Sequence, residues 1–92
     1  MTAPYKSTPQ FTENSLPDAL RNAHNTKEGV WGLLVVEEGT VRLVFHDPAR
    51  TIHVRPDQPA VIPPQAIHHV EIDGPMRMHV EFYQSEPSPP VA

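Results

Sequence analysis

Twelve prolines against four glycines in 92 residues leave this chain few ways to fold. Proline lacks a backbone N–H and clashes with the preceding helical turn, so it is kept out of helix interiors and central strands. Its occurrences at 4, 9, 17, 48, 56, 59, 63, 64 and 75, then 87, 89 and 90, mark where regular elements stop. A long helical bundle is excluded.

Between these stops the apolar residues follow strand periodicity. Residues 30–36 are apolar and β-branched apart from Gly32, and read as a buried strand. A turn at Glu37-Glu38-Gly39-Thr40 leads into residues 41–46, where Val41, Leu43 and Phe45 share a face. Residues 51–55, 60–62 and 68–72 are further short strands. Along residues 76–83, Met76, Met78, Val80 and Phe82 form one face, and Arg77, His79, Glu81 and Tyr83 the other. The methionine face serves either as the domain's own core or as a subunit contact. One short helix is expected from Leu16 to about Ala23, with Ser15 as its cap and Pro17 in its first turn. The reading is all-β, a sandwich or barrel. Residues 1–15 form an extended arm with Tyr5 and Phe11, residues 16–84 the domain, and the Ser/Pro-rich residues 85–92 a disordered tail.

Composition narrows the function. A formal charge of −4 argues against nucleic acid and anionic membranes as partners. The absence of cysteine removes disulfides, thiolate nucleophiles and sulfur ligands. No serine lies in a nucleophile elbow, and no carboxylate pair suits glycosidic chemistry. With no signal-like or membrane-length apolar run, a cytoplasmic protein is expected. So small a domain buries a modest core, and a homodimer would support it.

Several segments occur in a recognisable order: Pro4-Tyr5-Lys6-Ser7-Thr8-Pro9, Phe11-Thr12, His24-x-x-Lys27, Gly29-Val30-Trp31-Gly32, the turn at Gly39, Pro63-Pro64-x-x-x-His68 and Val80-Glu81-Phe82-Tyr83. Together they resemble the TehB/YeaR-like cupin domain family, found alone or fused to tellurite-resistance methyltransferases. The resemblance implies a small cupin-type double-stranded β-helix barrel, jelly-roll-like and often dimeric. It also implies a role in tellurite resistance or in nitrate and nitric-oxide responses. The methyltransferase itself is not expected, because no glycine-rich turn follows a strand. Within the cupin pattern, Pro63 and His68 match the second motif, with Gln65 in place of its glycine. In the first motif Gly32 stands at the glutamate position, and only His24 and Lys27 lie near the histidine pair.

The superfamily match suggests a divalent metal (Zn, Fe, Mn or Ni) held by His24, His68 and Glu81, with open coordination positions for a small molecule or anion. Lys27, His79, Tyr83 and Trp31 would be neighbours of the ligand, Lys27 orienting an anionic group. This places the polar face of residues 77–83 inside a barrel. Plainer readings stand beside each assignment. That polar face can be solvated, His24 can cap the helix, Lys27 can pair with Glu28, Glu37 or Glu38, and Trp31 can be packing. Either a stress-response cupin with a metal-assisted site or a metal-free dimeric interaction module follows, with catalysis undecided between them.

Overall fold

A computed structural model of the chain describes residues 3–87. Eight strands and one four-residue helix run in the order β1 (Lys6–Ser7), β2 (Phe11–Thr12), α1 (Asp18–Arg21), β3 (Trp31–Glu38), β4 (Val41–His46), β5 (Ala49–Val54), β6 (Ala60–Ile62), β7 (His68–Ile72) and β8 (Arg77–Tyr83). The pairings are antiparallel. One sheet has the order β1-β8-β3-β6, with β2 also on β8, and the other has the order β5-β4-β7.

The expected closed barrel does not form among the described residues; the strands make two open sheets. The chain passes between the sheets at four connections, after β3, β5, β6 and β7, and Pro63-Pro64 lies in the third of them. Two residues without N–H donors cannot carry a ladder across that junction. No helix of the described residues is long and apolar enough to cross a membrane. The expected tail lies, from residue 88 onward, outside the described residues.

Alternation decides what each sheet buries. Leu34 and Val36 of β3, Met78 and Val80 of β8 and Ile62 of β6 turn inward, against Val41, Leu43 and Phe45 of β4, Val54 of β5 and Val70 of β7. Leu34, Leu43 and Met78 are fully buried, each contributing about 2 kcal/mol by leaving water. Met76 is buried with them, so the methionine face is the domain's core and not a subunit contact.

Local details depart from expectation where backbone hydrogen bonds are claimed elsewhere. Ser15 does not cap α1. Its hydroxyl accepts from the Thr12 N–H at 2.8 Å, while Pro17 occupies the cap position and makes no side-chain bond. The strand expected to end at residue 36 continues to Glu38 through a register shift between Val36 and Glu38.

Candidate functional site

Between the sheets lies a cavity of about 290 Å³, floored by Leu34, Ile62, Val70 and Val80. Gly32 also lines it, and a β-carbon there would sit 3.3 Å from Ile62 Cβ, so Ile62 fills the corner that a larger residue would need. The polar lining comes from the segment after α1 and from the start of β7: His24, Thr26, Lys27 and His68, with Lys6 at the exposed edge.

His24 and His68 form this polar end. An isolated bridge joins their backbones, and their ring centroids lie 4.1 Å apart. Each ring is held by its Nδ1, which donates to a backbone carbonyl: Ala66 for His68 at 2.6 Å and Asn22 for His24 at 3.0 Å. Because a carbonyl only accepts, the proton of each neutral ring sits on Nδ1. His68 is 4 % exposed, and burial lowers its pKa despite the Ala66 bond, with the neighbouring His24, His46 and His69 adding to the shift. It is therefore a neutral imidazole near pH 7. The Thr26 hydroxyl is buried without a hydrogen-bond partner among the described residues.

Of the residues expected at a site, His24, His68 and Lys27 come together at the cavity. Glu81, His79 and Tyr83 do not; they lie on the opposite face of β8, because Val80 and Phe82 take the inner one. There they form a chain of their own. The Tyr83 hydroxyl donates to Glu81 at 2.6 Å, and His79 lies between Glu81 at 2.9 Å and Glu37 at 3.1 Å. Burial disfavours the His79 cation, but the Glu81 and Glu37 carboxylates outweigh it and raise the pKa. Burial works the same way against the Glu81 carboxylate, whose pKa is nevertheless lowered by Tyr83 and His79. Tyr83 is pushed up to about 12 by burial and by Glu81. Trp31 pairs with Tyr83 across β3 and β8 and does not line the cavity.

The residues present do not fit the expected metal. Glu81 cannot join His24 and His68 through the sheet, and among the described residues no group of three or more His, Asp or Glu is arranged to hold a metal ion. Nor do Glu37 and Glu38 pair with Lys27; they bond His79 and Arg77 instead.

Thr26, Ile62 and Val70 were not anticipated at the site. Ile62 and Val70 read from sequence only as strand residues. No sequence pattern marks Thr26, whose carbonyl accepts from the Gln65 N–H only in the fold.

Residues 6–80 match the TehB-like domain. The chain belongs to the TehB-like domain family. It is 33% identical over 72 residues to the probable S-adenosyl-L-methionine-dependent methyltransferase TehB of Haemophilus influenzae, in strains 10810 and KW20/Rd. That alignment covers 73% of this chain and 25% of the methyltransferase, so the chain spans a quarter of these relatives. The crystal structure of TehB from H. influenzae superimposes with a TM-score of 0.78 at 29% identity, over 88% of this chain and 30% of that one. A structural-genomics protein from Escherichia coli K12 gives a TM-score of 0.82 at 24% identity, over 95% and 93% of the two chains, which shows a shared fold.

These likenesses bear out the TehB-like part of the expected family and give no support to the cupin part. They also overturn the expected function. The domain is homologous to part of a methyltransferase and is not a metal-binding cupin, and the dimeric module proposed beside it loses its contact face to the core.

Proposed function

We propose that this TehB-like domain serves tellurite resistance as an accessory domain to methyl transfer, holding a small molecule for a methyltransferase that lies outside these 92 residues. The observation that carries this reading is the partly open cavity of about 290 Å³ between the sheets and the segment after α1. Ligand pockets span about 300–1,000 Å³, so the cavity suits a small guest. Its floor of Leu34, Ile62, Val70 and Val80 supplies affinity by removing apolar surface from water, at about 25 cal/mol per Å². The transfer chemistry is assigned elsewhere because antiparallel sheets with one short helix provide no strand-turn-helix crevice for a nucleotide-type cofactor.

The test is a cavity-filling Val80→Phe variant in a strain whose own copy of the gene is deleted. Deletion is expected to sensitise cells to tellurite, and wild type but not Val80→Phe to restore growth, with circular dichroism confirming that the variant folds. A folded variant that restores full resistance overturns the reading.

A further inference from the structure

The hydrogen-bonding state of the cavity's polar end defines its guest more narrowly, given that the cavity holds a ligand at all. With Nδ1 of His68 committed to Ala66 O at 2.6 Å, its remaining ring nitrogen, Nε2, is a lone-pair acceptor with no partner among the described residues. His24 repeats the arrangement, its Nδ1 bonded to Asn22 O at 3.0 Å. Two acceptor nitrogens on rings whose centroids are 4.1 Å apart repel the lone pairs of a carboxylate or oxyanion and attract a proton. The lysines do not reverse this. Lys6 and Lys27 are exposed at the edge, where an aliphatic stem can cover apolar surface while the ammonium stays in water. The rest of the wall is mainly apolar, with Phe82 beside the aliphatic side chains and Thr8 and Asn25 as further polar residues, and the volume is roughly twice that of an engineered cavity of about 150 Å³ that admits benzene.

We infer that the cavity selects an uncharged, mainly apolar molecule carrying one hydrogen-bond donor, such as a phenol, alcohol or thiol, which donates to Nε2 of His68. The Thr26 hydroxyl, buried without a partner, is a second group that such a guest can satisfy.

The experiment compares phenol, toluene and benzoate as guests of the full chain by NMR titration at pH 7.5. Long-range ¹H–¹⁵N spectra read the histidine tautomers in the same samples. Phenol is expected to bind about fivefold more tightly than toluene, the worth of one net hydrogen bond of about 1 kcal/mol, and benzoate most weakly. The His68 Nε2 resonance is expected to be that of an unprotonated nitrogen and to shift with phenol. Benzoate binding best, toluene matching phenol, or a protonated Nε2 each overturns the inference while leaving a ligand-holding cavity in place. No cavity resonance moving with any guest overturns the inference and the proposed function together. In Thr26→Val and His68→Phe the preference for phenol over toluene should shrink; full retention in both counts against the assignment.

Discussion

His24 and His68 are joined twice: their backbones exchange hydrogen bonds of 3.0 and 2.8 Å, and their ring centroids lie 4.1 Å apart. The pair fastens the irregular segment after α1 onto the start of β7 and closes one end of the cavity. Phe45 also packs against His68, with ring centroids 6.0 Å apart, so the buried ring is also a core element.

His68→Ala is therefore expected to cost about 2 kcal/mol, the range for truncating a buried side chain whose site collapses only in part. His24→Ala, at a half-buried position, should cost less. Urea denaturation of both variants checks the order. His68 also leaves a pH signature. Its folded pKa lies below the unfolded value, so its contribution is intact above about 6.5 and is lost as pH falls toward the folded value. His68→Phe should flatten that acid limb. An unchanged limb would assign the acid sensitivity to other groups.

Gln65 has a φ of +61°, in the left-handed region that a side chain disfavours. It stands where the proline motif carries glycine, and the structure shows why: the turn must place its N–H 2.9 Å from the Thr26 carbonyl. Gln65→Gly is expected to range from neutral to about 1 kcal/mol stabilising, relief of the strained φ offsetting glycine's greater chain entropy. Gln65→Val should destabilise by more than 1 kcal/mol, on the same order as the strain itself. Thermal melts of the two variants moving in the same direction would refute the account.

Gly39 is the opposite case, a positive φ already filled by glycine. At φ +77° a β-carbon would lie 3.1 Å from Met76 Cα and collide with the Pro75 carbonyl. Since the obstruction is backbone, Gly39→Ala is expected to destabilise by about 2–4 kcal/mol. Gly29 provides the control. Its φ is also positive, at +75°, but nothing lies within 4 Å of an added β-carbon. Gly29→Ala should cost about 1 kcal/mol, from backbone conformation alone. Equal losses in the two would show that crowding is not the cause.

Period-two alternation made β4, β6 and β7 legible to the residue, because one face of each must be buried whatever the topology. It could not show how the sheets associate, since an inner face looks the same in a barrel and in two facing sheets. Nor did it orient β8, and the superfamily match pointed that strand the wrong way round. Placing Glu81 inside required the face of Met76, Met78 and Val80 to look outward, and their burial decides against it. Glu37 was hidden for a different reason. Its carboxylate reaches His79 only because β3 runs past its expected end through a bulge, and a bulge has no sequence pattern of its own. The approach of His24 to His68 across 44 positions is a tertiary fact that no local pattern carries.

Thr26→Val should separate stability from function. The Thr26 hydroxyl is buried and makes no bond among the described residues. Removing an unsatisfied group while keeping its shape is neutral to stabilising, by up to about 1 kcal/mol. The free protein should melt at the same temperature or higher. A clear loss of stability would mean that the hydroxyl has a partner in solution.

His79 supplies a pH dependence opposite in sign to that of His68. Both ring nitrogens face carboxylates, Nδ1 toward Glu37 and Nε2 toward Glu81, and a carboxylate only accepts, so the geometry requires the doubly protonated ring. Its folded pKa is accordingly raised above the ordinary 6.5. The stabilisation is fully present below about 6.5 and disappears as pH rises through the folded value, when the ring loses a proton and one carboxylate loses its donor. The three side chains are 19–26% exposed, so the pairs are screened, and a contribution of about 1 kcal/mol is expected. His79→Gln retains one donor and no charge. It should be less stable than wild type by that amount at pH 6 and nearly equal to it at pH 9. Chemical denaturation of both proteins across this interval measures the difference directly, and a constant gap would show that His79 is not held as a cation between Glu37 and Glu81.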